Sequence, residues 1–582
     1  MNQELFHATP QQRDIIRHEG SAFIRACPGA GKTRVMAERA RRLFGDMPPG
    51  RGIAFLSFTQ AAVFELDMRL RREGILISPV FPSFIGTFDS FVWHFLIAPF
   101  GIKDSNIPPR LIADIDDFLL APFKSAHPLP LSCFDPLTNR IIPDAAMLRR
   151  FDVAKKSPNQ VRAYETSARR LRSGLRERGL LGFDEARREA LDRLNEAALS
   201  QRIANALAGR FRDVIVDEAQ DCNPDDLTII SWLRSIGVPV KVVCDPHQSI
   251  YGFRGGVTDH LFAFADTFSS HERKELTGNF RSSPNICKTL VQLRPIAARD
   301  VFDEPLGPLR KELAPVHVFS YSGAAVPASI GAKFSALLAQ SGIDNSNSPV
   351  LAATKASSAA AVGQPKPSGR QDRAVRLAEA VVGFHFASGF NDVKGALESV
   401  HKIVLDLEGR LSGTSYREYL SVNDIDPVSW RPRIIALLRE LKYDAMKYPN
   451  AKAWHAAAKG IIEKEVTISG GQTVSQKLRW NAAIETALCV ASSNAVLPRT
   501  IHSVKGMEFP AVCVVTTTST LKGILSFLET GSPVERAEDA RKLYVSASRA
   551  QRMLVFAAPK SQAERLRKHL SGQGAEVTIE EI

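Results

Sequence analysis

Short apolar runs rich in β-branched and aromatic residues recur along the chain, at 21–27, 53–58, 214–216, 240–244, 350–353, 512–516 and 553–557, with helix-patterned stretches between them. Continuous apolar strands alternating with helices predict parallel α/β layers covered on both faces. The runs fall into two groups, one before about residue 250 and one after about residue 350, which predicts two α/β cores. Between the runs the pattern changes. Residues 96–204 turn helical and basic, and 366–489 read as mainly helical, with Trp430, Trp454 and Trp480. A Ser/Ala/Gly/Pro-rich stretch at 357–370 has the composition of a linker. The expected organisation is a first core over 1–95 and 205–274, interrupted by a helical basic insertion over 96–204. A second core follows over 275–365 and 490–582, interrupted by a second, mainly helical insertion over 366–489. No internal repeat of 20–50 residues is visible.

Composition narrows the class. The 582 residues are 44% hydrophobic and 24% charged, ordinary globular values. They exclude a collagen, a mostly disordered chain and a small disulfide-stapled scaffold, and allow about three to five domains. Lys and Arg number 75 against 62 Asp and Glu, a formal charge of +13. That excess favours a polyanionic partner such as nucleic acid, although a merely soluble basic protein carries it too. Residues 155–178 concentrate it: Lys155, Lys156, Arg162, Arg169, Arg170, Arg172, Arg176 and Arg178 face only two glutamates. The stretch reads either as a phosphate-contacting surface or as a solvated helix face. The seven cysteines are scattered and form no CxxC pair, which points to a reducing compartment rather than a disulfide framework or zinc ribbon. The polar N-terminal segment lacks a signal-peptide apolar region, and no apolar run approaches the ~20 residues that span a bilayer. A cytoplasmic protein without a membrane partner is expected.

Residues 26–33 read ACPGAGKT, a phosphate-binding loop with Ala26 in the first glycine position. It follows the apolar run SAFIRA and precedes a helical pattern, the context the motif requires. Gly29 and Gly31 let the backbone curl so that amide N–H groups of Cys27, Pro28's neighbours and Ala30 converge on phosphate oxygens. The following helix offers its positive end to the same anion. Lys32 is expected on the β- and γ-phosphates and Thr33 on Mg²⁺. Residues 214–221 read VIVDEAQD. An apolar strand ending in Asp-Glu delivers two carboxylates to the edge of the sheet where ligands of α/β folds bind. Asp217 is the candidate Mg²⁺ ligand and Glu218 the candidate base for an attacking water. Such a pair alone also marks a solvated turn; the loop upstream in the same predicted sheet favours the functional reading.

Further blocks follow in order: SFTQAAVFELDMR (57–69), IGTFDS (85–90), VVCDPHQSIYGFRGG (242–256), LTGNFRSS (276–283), IHSVKGMEFPAV (501–512) and EDARKLYVSASRA (538–550). With the loop and the carboxylates, this series resembles the UvrD/Rep/PcrA family of superfamily 1 DNA helicases over about 350 residues of both predicted cores. The resemblance implies two RecA-like motor cores that bind ATP and Mg²⁺ between them. It places Gln12 on the adenine amide edge and Arg34 and Phe280 on its two faces. It makes Gln248 the γ-phosphate sensor and Arg281 and Arg549 the arginine fingers, and it brings Gly506 and Glu508 to the nucleotide sugar. Phe280 and Phe253 stand where the family has Tyr and Trp.

The same resemblance assigns the single-strand channel to Phe58, Thr59, Thr87, Phe88, Tyr251, Phe253 and His502. Aromatic faces and phosphate contacts of this kind suit a strand binder; for any one aromatic, core packing is an equal reading. Asp89 replaces a frequent His of the family, and an acid there would repel phosphate. The implied activity is an ATP-dependent 3′→5′ DNA helicase or single-stranded DNA translocase acting on single strands and tailed duplexes. The alternative is a DNA-sensing ATPase subunit that regulates a partner, a nuclease or repair protein, with little unwinding of its own. The compact build is similar to helicase-like subunits of anti-phage systems such as Gabija. Little chain follows Ala550, so no integral nuclease domain is expected.

Overall fold

A computed structural model describes residues 7–76, 80–103, 105–112, 115–250, 258–364, 372–385, 390–411, 416, 419–420, 423, 425–444, 446–468, 471, 473–488 and 496–582. The chain divides into two compact units, one of Met1–Pro109, Phe183–Gly363 and Ala495–Ile582, the other of Arg110–Gly182 and Gln364–Asn494.

The first unit holds two six-stranded parallel sheets. Strands β1 (Ala22–Ala26), β2 (Gly52–Ser57), β3 (Phe84–Thr87), β4 (Phe211–Val216), β5 (Val240–Cys244) and β6 (Arg273–Leu276) form the first, in the order β6-β1-β5-β4-β2-β3. Strands β7 (Val316–Tyr321), β8 (Val350–Ala352), β9 (Pro498–Thr500), β10 (Phe509–Val515), β11 (Ala550–Pro559) and β12 (Val577–Glu581) form the second, in the order β9-β8-β10-β11-β7-β12. Every neighbouring pair in both sheets is parallel. The two α/β cores are therefore present, and each apolar run named above lies on a strand. All of β2 and β5 is buried, as expected of strands covered on both faces.

The first sheet carries the helices that position the site: α1 (Pro10–Arg17), α2 (Lys32–Gly45), α3 (Gln60–Arg72), α4 (Phe183–Asn195) and α5 (Pro224–Ser235). In the second core α6 (Ala537–Ala547) packs beneath β10 and ends just before Arg549. A buried ionic cluster ties α1 and α2 to the sheet. Arg39 Nε lies 2.6 Å from Asp213 Oδ2, Lys241 Nζ lies 2.9 Å from Asp213 Oδ1, and Arg39 Nη1 donates to the carbonyls of Ile15, Ile16 and His18 at the end of α1. Burial pulls the Lys241 ammonium down to about 8, against the opposing pull of Asp213. Such a cluster adds little net stability but penalises any misplacement of its members.

The second unit contains both mainly helical segments. In Arg110–Gly182 the 20-residue helix Pro158–Glu177 opens on a Ser157–Gln160 capping box and buries Tyr164, Ala168 and Leu175 against Phe118, Phe134 and Phe151. Arg172 of the basic run donates to the carbonyls of Leu131, Phe134 and Asp135, a structural use, whereas Arg162, Arg169, Arg170, Arg176 and Arg178 are exposed. In Gln364–Asn494 the helices Arg373–His385, Phe390–Leu407, Pro427–Glu440 and Ala451–Glu465 enclose a core that includes Trp430 and Trp454, with Trp480 packed at its edge. Six cysteines are described, all free and buried; Cys489 lies outside the described residues. Among the described residues no helix is long and apolar enough to cross a membrane.

Candidate nucleotide site

The phosphate loop leaves β1 at Ala26 and enters α2 through Gly31, which is the helix N-cap with φ +74°. Gly29 has φ +71°, and a Cβ added there would lie 2.5 Å from Arg281 Cβ and 2.6 Å from Asn279 Oδ1. Only glycine satisfies both the left-handed backbone and the close approach. The Phe280 N–H donates to Gly29 O at 2.8 Å, so the loop touches the segment carrying Phe280 and Arg281 directly.

One cavity of about 240 Å³ gathers the chemistry. Pro28 to Arg34 line it from below, Asp217 and Glu218 from the end of β4, and Gln248 from the end of β5. Phe280, Arg281, Gly506, Glu508 and Arg549 line it from the second core's side. Gln12, Ala26 and Cys27 do not line it. Gln12 is buried and its amide is engaged locally: Oε1 accepts from Thr9 N at 3.0 Å, and Nε2 donates to Ala30 O at 3.2 Å. It braces α1 against the loop.

The electrostatics are those of a crowded, partly dehydrated site. Burial and the neighbouring Glu218 push the Asp217 carboxyl up to about 7. Burial raises Glu218 as well, but Lys32, Lys505 and Arg549 overcome it, leaving the group below its ordinary value. Burial pulls Lys32 down, and Glu218, Asp245 and Asp217 more than restore it, so the ammonium stays charged. Glu218 adopts φ +56°, a left-handed conformation that costs a non-glycine residue about 1–3 kcal/mol. It is held by its own N–H to Asp217 Oδ1 at 2.9 Å and by a hydrogen bond from Gln220 Nε2 to Oε2.

The two cores meet through side chains. Arg549 Nη2 donates to Gln248 Oε1, and Gln248 Nε2 donates to Asp245 Oδ2 at 2.9 Å. Within the second core, Arg281 donates to Glu508 and to Ser548 O, the latter at 2.8 Å. Lys505 Nζ reaches both oxygens of Asp221, at 2.7 and 2.5 Å, three residues beyond Glu218. Burial and the nearby Arg281 lower the Arg549 guanidinium to about 10, still cationic at neutral pH.

Five lining residues escaped the sequence reading: Ser57, Ala62, Glu65, Leu66 and Arg69. Glu65 and Arg69 stand four apart on α3, one helical turn, and that spacing inside the block 57–69 was the available signal. Burial raises Glu65.

The strand-channel candidates lie outside this cavity. Phe58, half-buried, stacks on the fully buried Phe88 with centroids 5.5 Å apart and planes 14° from parallel. Phe88 has no exposed face of its own, and Phe58 is the more exposed ring of the pair. The hydroxyls of Thr59 and Thr87 cap the helices that follow them, accepting from Ala62 N at 3.2 Å and Ser90 N at 3.1 Å. His502 is half-buried, and burial lowers its pKa. Tyr251 and Phe253 lie outside the described residues. Asp89 is answered inside the protein: it pairs with Arg187, whose Nε also bonds Asp226 at 2.7 Å and whose Nη1 bonds Asp184 at 3.1 Å. The acid that replaces the family's His belongs to a structural ion cluster between α4 and α5.

Comparison with known proteins gives two family matches. Residues 8–269 match the UvrD/REP helicase N-terminal domain, and residues 474–561 match the UvrD-like helicase C-terminal domain. The chain is 30% identical over 301 residues to the ATP-dependent DNA helicase UvrD1 of Mycobacterium tuberculosis (strain ATCC 25618 / H37Rv), covering 48% of this chain and 38% of that protein. It is 29% identical over 298 residues to DNA helicase II of Haemophilus influenzae, covering 49% and 39%. With Gabija protein GajB of Bacillus cereus it shares 23% identity over 279 residues, covering 47% of each. The matched region spans less than half the length of each of these curated relatives.

Proposed function

We propose, from the premise that the chain belongs to the UvrD-like helicase family, that it hydrolyses ATP in this cavity and uses the cycle to move 3′→5′ along single-stranded DNA and separate strands. The observation that carries the proposal is the single cavity lined by the phosphate loop and acids of one core and by Arg281 and Arg549 of the other. In that reading the loop amides and Lys32 bind the phosphates, and Arg34 and Phe280 stack on the base. Gly506 and Glu508 face the sugar. Gln248 senses the terminal phosphate while bonded to Arg549. Glu218, kept ionised by the cations around it, takes a proton on its carboxylate from the attacking water. Arg281 and Arg549 hold fixed positive charge toward the transferring group.

The donor set suits Mg²⁺: Thr33 offers a hydroxyl, and Asp217 is a carboxylate whose ionisation is disfavoured until a cation arrives. When bound, the ion neutralises phosphate charge. Because the fingers come from the second core, hydrolysis is conditional on the two cores remaining closed, which converts turnover into relative motion. Phe58 over Phe88, with Thr59, Thr87, His502, Tyr251 and Phe253, forms the proposed strand grip. The domain division is proposed as read from the sequence: cores over 1–95 with 205–274 and over 275–365 with 490–582. A cytoplasmic location and a nuclease or repair partner belong to the same proposal. The family matches favour the motor over the signalling-subunit alternative.

The test is ATP hydrolysis and strand displacement on 3′-tailed, 5′-tailed and blunt duplexes. Strong stimulation by single strands and displacement of the 3′-tailed substrate are expected. A turnover indifferent to DNA would defeat the motor.

A further inference from the structure

Gln220 belongs to the block VIVDEAQD at 214–221, yet it takes no part in the nucleotide cavity, whose lining passes from Glu218 to Gln248. It sits in the short 3₁₀ turn Ala219–Asp221 that follows Glu218, and it is 3% exposed. Strands β4 and β5 run side by side in parallel, with Val216 opposite Val242. Glu218 stands two residues past β4 and Asp245 one residue past β5, so both segments reach the same edge of the sheet.

Gln220 bridges the two segments. Its Oε1 accepts from Asp245 N at 3.1 Å, and its Nε2 donates to Glu218 Oε2. A backbone N–H can only donate, and this one decides which way round the amide sits: the carbonyl faces Asp245, and the NH₂ faces the Glu218 carboxylate. Asp245 in turn anchors the residues around it. Its carboxylate accepts from His247 N at 3.0 Å, from Gln248 Nε2 at 2.9 Å and from Tyr544 OH at 3.3 Å. One buried amide thus ties the proposed base to the segment that carries the proposed γ-phosphate sensor.

Glu218 needs such a tether. Its backbone is left-handed, at φ +56°, and Lys32, Lys505 and Arg549 all act on its carboxylate, each able to draw it to a different place. The attraction of those cations has little preferred angle, whereas a hydrogen bond from a fixed amide sets a direction. We propose that Gln220 is a positioning residue for ATP hydrolysis: it touches no substrate, and it aims the Glu218 carboxylate at the attacking water by bracing it against Asp245. This role rests on the ATPase reading, with Glu218 as the base.

Gln220→Met in the full chain keeps the length of the side chain and removes both hydrogen bonds. Misplacing a catalytic group by about 1 Å costs on the order of 10²-fold, so kcat of DNA-stimulated hydrolysis should fall about 10- to 100-fold. KM for ATP and the affinity for a fluorescent ATP analogue should stay close to those of the parent. Gln220→Asn, whose amide hangs on a stem one methylene too short to span Glu218 and Asp245, makes the same test if Gln220→Met fails to fold. The second measurement is the residual single-turnover rate of Glu218→Gln, followed over hours, with and without Gln220→Met. With no base left to aim, the added substitution should slow it no further. A parental kcat in Gln220→Met, a loss carried mainly by KM, or the same fold-loss in the Glu218→Gln background would overturn the positioning role. A parent chain that hydrolyses no ATP would instead overturn the ATPase reading beneath it.

Discussion

Lys505 and Asp221 form an ion pair across the cores, with side chains 6% and 1% exposed and two contacts at 2.7 and 2.5 Å. Lys505→Met keeps the aliphatic stem and removes the charge, leaving Asp221 buried without its cation. Breaking a buried pair from one side costs about 3–5 kcal/mol, whereas replacing both partners is often close to neutral. The single variant should therefore lower the urea midpoint of the first unit clearly. Asp221→Asn in the Lys505→Met background should recover a large part of that loss. The coupling energy of the four-member cycle should be on the order of 2–3 kcal/mol. Because Asp221 ends the turn that carries Glu218, ATP turnover of Lys505→Met should fall more than its affinity for nucleotide. Additive effects in the cycle, or a midpoint within error of the parent, would refute the idea that this pair fastens the carboxylate loop to the second core.

Gly29→Ala introduces a Cβ 2.5 Å from Arg281 Cβ in a left-handed backbone, and equilibrium binding of a fluorescent ATP analogue should weaken at least tenfold. Lys32→Ala and Glu218→Gln should each abolish steady-state ATP hydrolysis, with Glu218→Gln retaining nucleotide binding in a filter assay. His401, in the second unit, stacks on Trp430 at 4.1 Å and meets Tyr416 OH at 2.9 Å, and burial lowers it to about 4. A histidine depressed in the fold takes up its proton on unfolding, so its contribution is present above pH ~6.5 and is lost as the pH falls toward 4. Discounted for partial exposure, the loss is about 1–2 kcal/mol, and His401→Phe should flatten the decline of the unfolding midpoint between pH 6.5 and 4.5.

The inner strands were legible because parallel strands covered on both faces are largely apolar, as β2, β5 and β10 are, the one buried cation of β5, Lys241, being paired with Asp213. Edge strands escape that constraint. β6 reads Arg-Lys-Glu-Leu and β12 Val-Thr-Ile-Glu-Glu, each half-exposed at the rim of its sheet, and neither stood out. β3 was short, and in β7 the half-buried His317 broke an otherwise apolar run. The loop and the Asp-Glu pair were readable because phosphate and cation chemistry fixes residue types at close spacing. The Lys505–Asp221 pair joins positions 284 residues apart and leaves no local pattern. Asp89 looked like a misplaced acid only because its partner, Arg187, is 98 residues away.

The most direct measurement of the central claim is single-turnover ATP hydrolysis by Arg549→Ala saturated with single-stranded DNA. Arg549 comes from the second core, yet lines the nucleotide cavity and bonds Gln248. Removal of a cation that acts on the transferring phosphoryl group should slow the chemical step by about 10³-fold or more, with nucleotide affinity changed little. A rate within a few-fold of the parent would mean that the second core takes no part in the chemistry, and would contradict the account.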